Sequence, residues 1–131
     1  MENRPNILIV DDDKDVVEAV AKYIAKRYEA TIDIAFNGSE AISRSDKTTY
    51  DIILLDVKMP GMDGISILKE VRKKNKTAHI IIITAWHSSE VLNDALSFGA
   101  NAFLVKPVSP NLLKSRLDHS LSSINKLKHL L

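Results

Sequence analysis

The chain has 131 residues, the size of one ordinary domain, and its 18 Lys+Arg against 17 Asp+Glu leave a formal net charge of +1. This balance argues against a polyanionic partner attracted by the overall charge of the chain. The lack of cysteine excludes disulfides, thiolate nucleophiles and cysteine-bound zinc. The longest apolar run, 80–86, is far shorter than the roughly 20 residues of a membrane span, and residues 1–6 lack the apolar core of a signal peptide. We therefore expect one cytoplasmic domain without membrane contact.

The balanced total hides an asymmetry between the two halves of the chain. Residues 1–65 carry a net charge of −5 and residues 66–131 a net charge of +6, so we expect the halves to pack against each other. The basic run 72–76 is expected to lie in solvent at the end of a helix, where the helix dipole favours cations. No aromatic side chain interrupts this run to stack on a base, and we predict no direct nucleic-acid binding.

Short apolar runs alternate with amphipathic stretches from end to end. Continuous aliphatic runs predict strands buried on both faces, and apolar positions three or four residues apart predict helices. The predicted strands span 6–10, 31–36, 51–55, 79–84 and 102–105. The predicted helices span 13–28, 38–45, 65–72, 88–98 and a last stretch from Pro110, whose apolar stripe consists of Leu113, Leu117, Leu121, Ile124, Leu127 and Leu131.

Turn and capping residues separate these elements. Asp13 and one of Ser88 and Ser89 are expected to cap helix N-termini, and Gly99 a helix C-terminus. The run 59–64 (Met-Pro-Gly-Met-Asp-Gly) is dense in turn residues and interrupts the chain. Five strands alternating with five helices predict an α/β fold with a doubly wound parallel sheet covered on both faces. In such folds ligands bind at the carboxyl ends of the strands.

Residues able to support phosphoryl chemistry lie at four of these strand ends. Asp11 and Asp12 follow the first strand, Asp56 the third and Lys106 the fifth, and Thr84 is the last residue of the fourth. Crowded carboxylates raise one another's pKa, and a divalent cation such as Mg²⁺ relieves this cost. A lysine opposite the metal adds a second positive pole, and the space between them suits a phosphoryl group. A carboxylate can also act as the nucleophile, which forms an aspartyl-phosphate.

These residues belong to four blocks in a fixed order: Asp11-Asp12, Asp56 with 59–64, Thr84-Ala85, and Phe103 with Lys106-Pro107. The blocks resemble the receiver domain of two-component response regulators, and the resemblance covers about residues 5–125. It implies a CheY-like, flavodoxin-like (βα)5 sheet with strand order 2-1-3-4-5. It also implies a receiver domain at 1–125 followed by a helix extension at 126–131.

The resemblance implies a role for each site residue. Asp56 would accept phosphate from the phosphohistidine of a histidine kinase in a Mg²⁺-dependent reaction. Asp12, Asp56 and the backbone carbonyl of Lys58 would hold the ion, with Asp11 acting mainly through water. Lys106 would pair with the phosphoryl oxygens.

The same resemblance implies a regulatory switch rather than an enzyme. Thr84 would move toward the phosphoryl group and Phe103 would take the vacated space, which changes the face formed by the last two helices and the fifth strand. The Lys106–Pro107 bond is expected to be cis, as is usual in the family. Trp86 either slows hydrolysis of the aspartyl-phosphate together with Lys58 or serves as a partly exposed contact for a partner.

The expected partners are a sensor histidine kinase or a phosphotransfer protein, an unidentified output domain or target, and a second copy of the chain on activation. The chain is either a stand-alone regulator or one domain of a longer protein. The tail 126–131 either continues toward an output domain or folds back over the sheet.

Two other classes of protein share parts of this pattern. A haloacid-dehalogenase-like phosphohydrolase also uses an aspartate nucleophile with Mg²⁺, but the chain has no room for a cap insertion, and 84–87 (Thr-Ala-Trp-His) lacks the later acidic metal motif. A flavin-binding module would need a phosphate cradle after the first strand, where the carboxylates of 11–13 repel phosphate. Both are weaker interpretations than the receiver domain.

Overall fold

The computed structural model describes residues 4–59, 62–85 and 88–130. The strands of the main sheet are β1 (Asn6–Val10), β2 (Thr31–Ala35), β3 (Ile52–Leu55), β4 (His79–Thr84) and β5 (Ala102–Val105). The helices are α1 (Lys14–Arg27), α2 (Gly38–Lys47), α3 (Gly64–Lys74), α4 (Ser89–Ser97) and α5 (Pro110–Leu130). Helices and main-sheet strands alternate along the chain, as predicted.

The main sheet is parallel throughout, with strand order β2-β1-β3-β4-β5. This is the predicted 2-1-3-4-5 order of the flavodoxin-like fold. One core packs on the sheet face covered by α2, α3 and α4, and a second packs on the face covered by α1 and α5. The central strands are therefore covered on both faces, which explains their uninterrupted aliphatic sequences.

Several element ends differ from the prediction by one or two residues. The prediction ended α2 at residue 45 and α3 at residue 72, whereas α2 continues to Lys47 and α3 to Lys74. These extra residues are polar, so apolar periodicity could not detect them. The strand β2 ends at Ala35 rather than 36, because the next backbone N–H donates to Glu40 Oε1 at 2.8 Å as α2 begins.

The run 59–64 contains more structure than the predicted turn. Lys58–Met59 pairs in an antiparallel ladder with Met62–Asp63 between β3 and α3. Asp63 then caps α3, since its side chain accepts from the backbone N–H of Ile65 at 3.1 Å. A strand of two residues has too few positions to show alternation, so the sequence pattern did not reveal it.

The predicted helix caps are confirmed, with one refinement at α4. Asp13 accepts from the backbone N–H groups of Asp15 and Val16, and Ser88 accepts from that of Val91. The C-cap residue of α4 is Phe98, and Gly99 follows it with φ 108°. This left-handed conformation is accessible to glycine without strain and ends the helix.

The basic run 72–76 is less exposed than expected, because Arg72 is half-buried. Its guanidinium donates to backbone carbonyls at the start of β4 and at the end of α4, among them those of Ala78 at 2.8 Å and Gly99 at 2.6 Å. Burial lowers the pKa of Arg72. The prediction of a solvated helix terminus is therefore wrong for Arg72, because tertiary contacts supply acceptors that the helix alone does not.

The two oppositely charged halves of the chain do pack against each other. Lys74 of α3 pairs with Asp46 of α2, and Lys106 pairs with Asp11 and Asp56. These ion pairs confirm the internal complementarity predicted from the charge distribution.

The last helix covers one face of the sheet with the predicted apolar stripe. Leu113 and Leu117 are buried, and Leu121 and Ile124 pack half-buried against the same core. Leu127 and Leu131 lie outside the described side chains. Among the helices that the structure describes, none is long and apolar enough to cross a membrane.

Candidate functional site

Three carboxylates meet at the carboxyl edge of the sheet. Asp11 follows β1 and Asp56 follows β3, and these neighbouring parallel strands are in register, with Val10 beside Leu55. Each of Asp11, Asp12 and Asp56 offers an oxygen within 4.8 Å of the other two. Asp11 and Asp56 are buried at 3% and 4% exposure, whereas Asp12 is exposed. The cluster is thus open to solvent on the side of Asp12.

Lys106 brings a positive charge from the far edge of the sheet into this cluster. Its Nζ lies 2.7 Å from Asp11 Oδ2 and 2.9 Å from Asp56 Oδ2. The backbone N–H of Lys106 donates to the carbonyl of Thr84 at 3.0 Å, which continues the hydrogen bonding between β4 and β5 past the strand end. The Lys106–Pro107 peptide bond is cis, as predicted.

The backbone holds the second oxygen of each buried carboxylate. Asp11 Oδ1 accepts from the N–H of Asp13 at 3.0 Å, and Asp56 Oδ1 accepts from the N–H of Lys58 at 2.8 Å. Each buried carboxylate is therefore fixed by one backbone N–H and by the shared ammonium of Lys106. This arrangement orients both groups before any ligand binds.

Burial and pairing shift the proton affinities in this cluster. Burial raises the pKa of Asp11 above its ordinary value, although the hydrogen bonds from Lys106 and from the N–H of Asp13 act in the opposite direction. Burial by itself would lower the pKa of Lys106, but its hydrogen bonds to Asp11 and Asp56 outweigh that effect and raise it. Lys106 therefore remains a cation at neutral pH.

The donor set of the cluster fits a hard divalent cation. The three carboxylates supply oxygen ligands within a span of 4.8 Å, and a single ammonium does not neutralise them. Oxygen ligands with few protein carboxylates and room for solvent suit Mg²⁺. Asp13 and Asp15, which are close in sequence, serve α1 as its N-cap and first-turn residue instead.

Thr84 and Phe103 lie on one face of the sheet. Alternation along β4 places Thr84 on the same face as Ile82, and Ile82 lies beside Phe103 in the register of β4 and β5. Thr84 is buried, and Phe103 is half-buried against the core under α2, α3 and α4. The two predicted switch residues therefore share one side of the sheet close to the carboxyl edge.

Gly64 is a site-supporting residue whose role the sequence did not reveal. A Cβ built on Gly64 would clash with the carbonyl oxygen of Val57, the residue that follows Asp56. The start of α3 thus touches the backbone beside the central carboxylate. Four residues named in the sequence analysis lie outside the part of the chain that the structure describes: Pro60, Gly61, Trp86 and His87.

Comparison with known proteins agrees with this geometry. A family model described as "response regulator receiver domain" matches residues 7–118. The transcriptional regulatory protein ResD of Bacillus subtilis is 40% identical over 110 residues, which cover 82% of this chain and 44% of that protein. A cyclic di-GMP phosphodiesterase of Thermotoga maritima is 33% identical over 115 residues, which cover 88% of this chain and 30% of that protein. The chain thus spans less than half the length of these curated relatives.

Solved structures of similar size share the whole fold. A CheY-like receiver domain protein from Methanospirillum hungatei matches with a TM-score of 0.89 and 27% identity, covering 95% of this chain and 98% of that one. A two-component response regulator from Clostridium difficile matches with a TM-score of 0.87 and 28% identity, covering 93% and 99% of the two chains. Phosphorylation on an aspartate is characteristic of this family, and its membership sets aside the phosphohydrolase and flavin alternatives. The chain belongs to the receiver domains of two-component response regulators.

Proposed function

We propose that Asp56 is the residue of this receiver domain that accepts the phosphoryl group. The observation that carries this proposal is its position: a buried carboxylate at the end of the central strand β3, 2.9 Å from Lys106 and clustered with Asp11 and Asp12. In the reaction, an Asp56 oxygen forms a bond to phosphorus as the bond from phosphorus to the donor histidine nitrogen breaks. The nitrogen keeps the electron pair, and Asp56 becomes an acyl phosphate.

Asp12, Asp56 and the backbone carbonyl of Lys58 are the ligands proposed for Mg²⁺, with Asp11 acting mainly through water. The ion would neutralise phosphoryl charge that the carboxylates alone repel. The hydrogen bond from the N–H of Lys58 to Asp56 supports this assignment, because it keeps 56–58 next to the cluster.

Lys106 and Thr84 are proposed to receive the phosphoryl oxygens. The ammonium of Lys106 already bridges Asp11 and Asp56, so it needs only a small displacement to pair with a group attached to Asp56. The phosphoryl group carries about two negative charges in place of the single charge of the carboxylate, which strengthens that attraction. Thr84 ends the adjacent strand, and its hydroxyl is the proposed hydrogen-bond donor.

Phe103 is proposed to transmit this change to the face formed by α4, β5 and α5. It shares a sheet face with Thr84, so a displacement of Thr84 alters the space available to the aromatic ring. The result is a bias between two arrangements of this face. Such a role is regulatory, and we assign the domain no turnover of an external substrate.

The proposed donor is a sensor histidine kinase or a phosphotransfer protein in the cytoplasm. We assign residues 1–125 to the receiver domain and 126–131 to a C-terminal extension of its last helix. Curated relatives are much longer than this chain, which supports an output in another domain or protein. Pairing of two copies of the chain on activation is part of the same proposal.

Intact-mass measurement tests the assignment of Asp56. After incubation with acetyl phosphate and Mg²⁺, the protein is expected to gain the mass of one phosphoryl group, and the gain should disappear with EDTA. The Asp56→Asn variant should show no gain, whereas Asp13→Asn, which changes a neighbouring carboxylate outside the cluster, should gain as the unsubstituted chain does. A full gain on Asp56→Asn would contradict the assignment.

A further inference from the structure

A groove between α3 and α4 lies outside the carboxylate cluster and is lined by both apolar and charged residues. Its volume is about 440 Å³, within the range of roughly 300–1,000 Å³ typical of ligand clefts. Its apolar surface comes from Ile65, which is half-buried, and from Phe98, which is 40% exposed, whereas the other two apolar residues that line it, Val57 and Val91, are buried. Where Lys69 of α3 reaches across, its Nζ lies 4.0 Å from the centre of the Phe98 ring. The groove thus offers apolar surface between two helices.

Carboxylates on α4 give this groove its net negative charge, because the other two charged residues that line it, Asp63 and Lys69, are of opposite sign. Residues 66–131 contain four acidic side chains, and two of these, Glu70 and Asp118, pair with lysines on their own helices. The other two, Glu90 and Asp94, line the groove. Within the described part of the chain, neither of them makes an ion pair. The acidic groove is therefore a local exception in the basic half of the molecule.

The spacing of these carboxylates gives them a common direction. Glu90 and Asp94 are four residues apart on α4, so they occupy the same helix face. Glu90 in the first turn also suits the positive end of the helix dipole. Asp94 lies one turn later, away from the positive end of the helix dipole, so its charge is available to a partner.

We propose that this groove binds a basic amphipathic helix of a partner protein. A helix presents lysine or arginine side chains at a spacing of three or four residues, which matches Glu90 and Asp94. Its apolar face would cover Ile65 and Phe98, as in other complexes that seat a helix in a groove. The carboxylates repel nucleic acids and anionic membranes, so a cationic protein segment is the occupant that fits the charge.

The groove is connected to the phosphoacceptor site through the backbone. Val57, which lines the groove, directly follows Asp56, and α4 begins shortly after Thr84. A helix bound here therefore contacts the residue next to the phosphoacceptor and also α4, which belongs to the face that phosphorylation is proposed to rearrange. This coupling rests on the proposed function. By linkage, the factor by which phosphorylation changes the affinity for the helix is also the factor by which the bound helix changes the phosphorylation equilibrium.

Binding of a synthetic peptide tests the groove. The probe is a fluorescent 14-residue amphipathic peptide of leucine and lysine, and the control peptide has glutamate in place of lysine. The double variant Glu90→Gln with Asp94→Asn should bind the lysine peptide at least about fivefold more weakly, with a loss that shrinks at high salt. A matched variant, Glu70→Gln with Asp118→Asn, removes the same net charge elsewhere and should bind as the unsubstituted chain does.

Amide chemical shifts locate the bound peptide. We expect shifts on addition of the lysine peptide to concentrate at Ile65, Lys69 and 90–98. Equal weakening in both double variants, shifts centred elsewhere, or equal binding of the glutamate peptide would overturn the proposal. Both double variants should still gain a phosphoryl group by mass, because they leave the carboxylate cluster unchanged. Absence of that gain in the unsubstituted chain would count against the proposed function and leave the binding result intact.

Discussion

Lys106 is the residue on which the charge balance of the carboxylate cluster depends. Its ammonium bridges Asp11 and Asp56, both nearly inaccessible to water. Removing one partner of a buried ionic group leaves the others uncompensated, which costs more than the pair contributes. The same residue proposed to bind the phosphoryl group therefore also stabilises the unphosphorylated domain.

The Lys106→Met variant should show this dependence. We expect a loss of roughly 2–3 kcal/mol in the free energy of unfolding at neutral pH, reduced from the full buried-pair cost because Lys106 is partly exposed. The deficit should shrink as the pH falls, because protonation removes the unpaired charge of the carboxylates. Urea unfolding at pH 5 and pH 8 measures both effects. The control Lys114→Met removes an exposed pair with Asp118 and should cost well under 1 kcal/mol; a similar loss in both variants would contradict the argument.

At the scale of elements, Arg72 ties the end of α3 to the end of α4. Its guanidinium donates to the carbonyls of Ala78 and Gly99, and also to the side-chain oxygen of Asn101, which in turn accepts from the N–H of Ile80. These acceptors belong to the segments that lead into β4 and β5. One side chain thereby holds together two connections far from the carboxylate cluster.

Replacing Arg72 by methionine should loosen these connections while leaving the helices formed. We expect a loss of about 2–3 kcal/mol in unfolding free energy, because several buried carbonyls lose a charged donor. Hydrogen exchange should become faster at the amides of 99–101. The control Lys73→Met affects an exposed pair with Glu70 and should change stability by no more than about 0.5 kcal/mol. Unchanged exchange at 99–101 in Arg72→Met would refute this role.

At the scale of the whole molecule, stability depends on pH through a histidine at the edge of the core. Burial lowers the pKa of His79 below its ordinary value of 6.5, and His119 and Arg72 act in the same direction. The unfolded chain therefore binds this proton more readily than the folded protein. By linkage, the contribution of His79 is fully present above about pH 6.5 and is lost as the pH falls through its lowered pKa.

The His79→Gln variant isolates this contribution. The unfolding free energy of the unsubstituted chain should fall more steeply between pH 7.5 and pH 5 than that of His79→Gln. Urea unfolding at several pH values gives the two slopes, and Lys106 stays protonated in both proteins over this range. Parallel slopes would show that His79 takes no part in the acid sensitivity.

The strands and their order show how much of the fold the local sequence pattern predicts. The strands β1, β4 and β5 were predicted with their exact ends, because a continuous aliphatic run makes up most of each of them. Ligands in doubly wound folds bind at the carboxyl ends of the strands, and this rule together with the family resemblance predicted that Asp11, Asp56 and Lys106 would lie close together. Helix ends such as Lys47 and Lys74 were missed, because their side chains carry no apolar signal.

The pattern of residues along the chain was enough to predict the alternation of strands and helices, the covered parallel sheet, and the carboxylates and lysine at its carboxyl edge. These properties follow from local hydrophobic period and from the order of elements along the chain. Three other features became visible only in the folded protein: Lys106 bridges two carboxylates, Arg72 is half-buried among carbonyls, and Glu90 and Asp94 line a groove. Each of these depends on distances between segments remote in sequence, which arise only when the sheet brings the segments together.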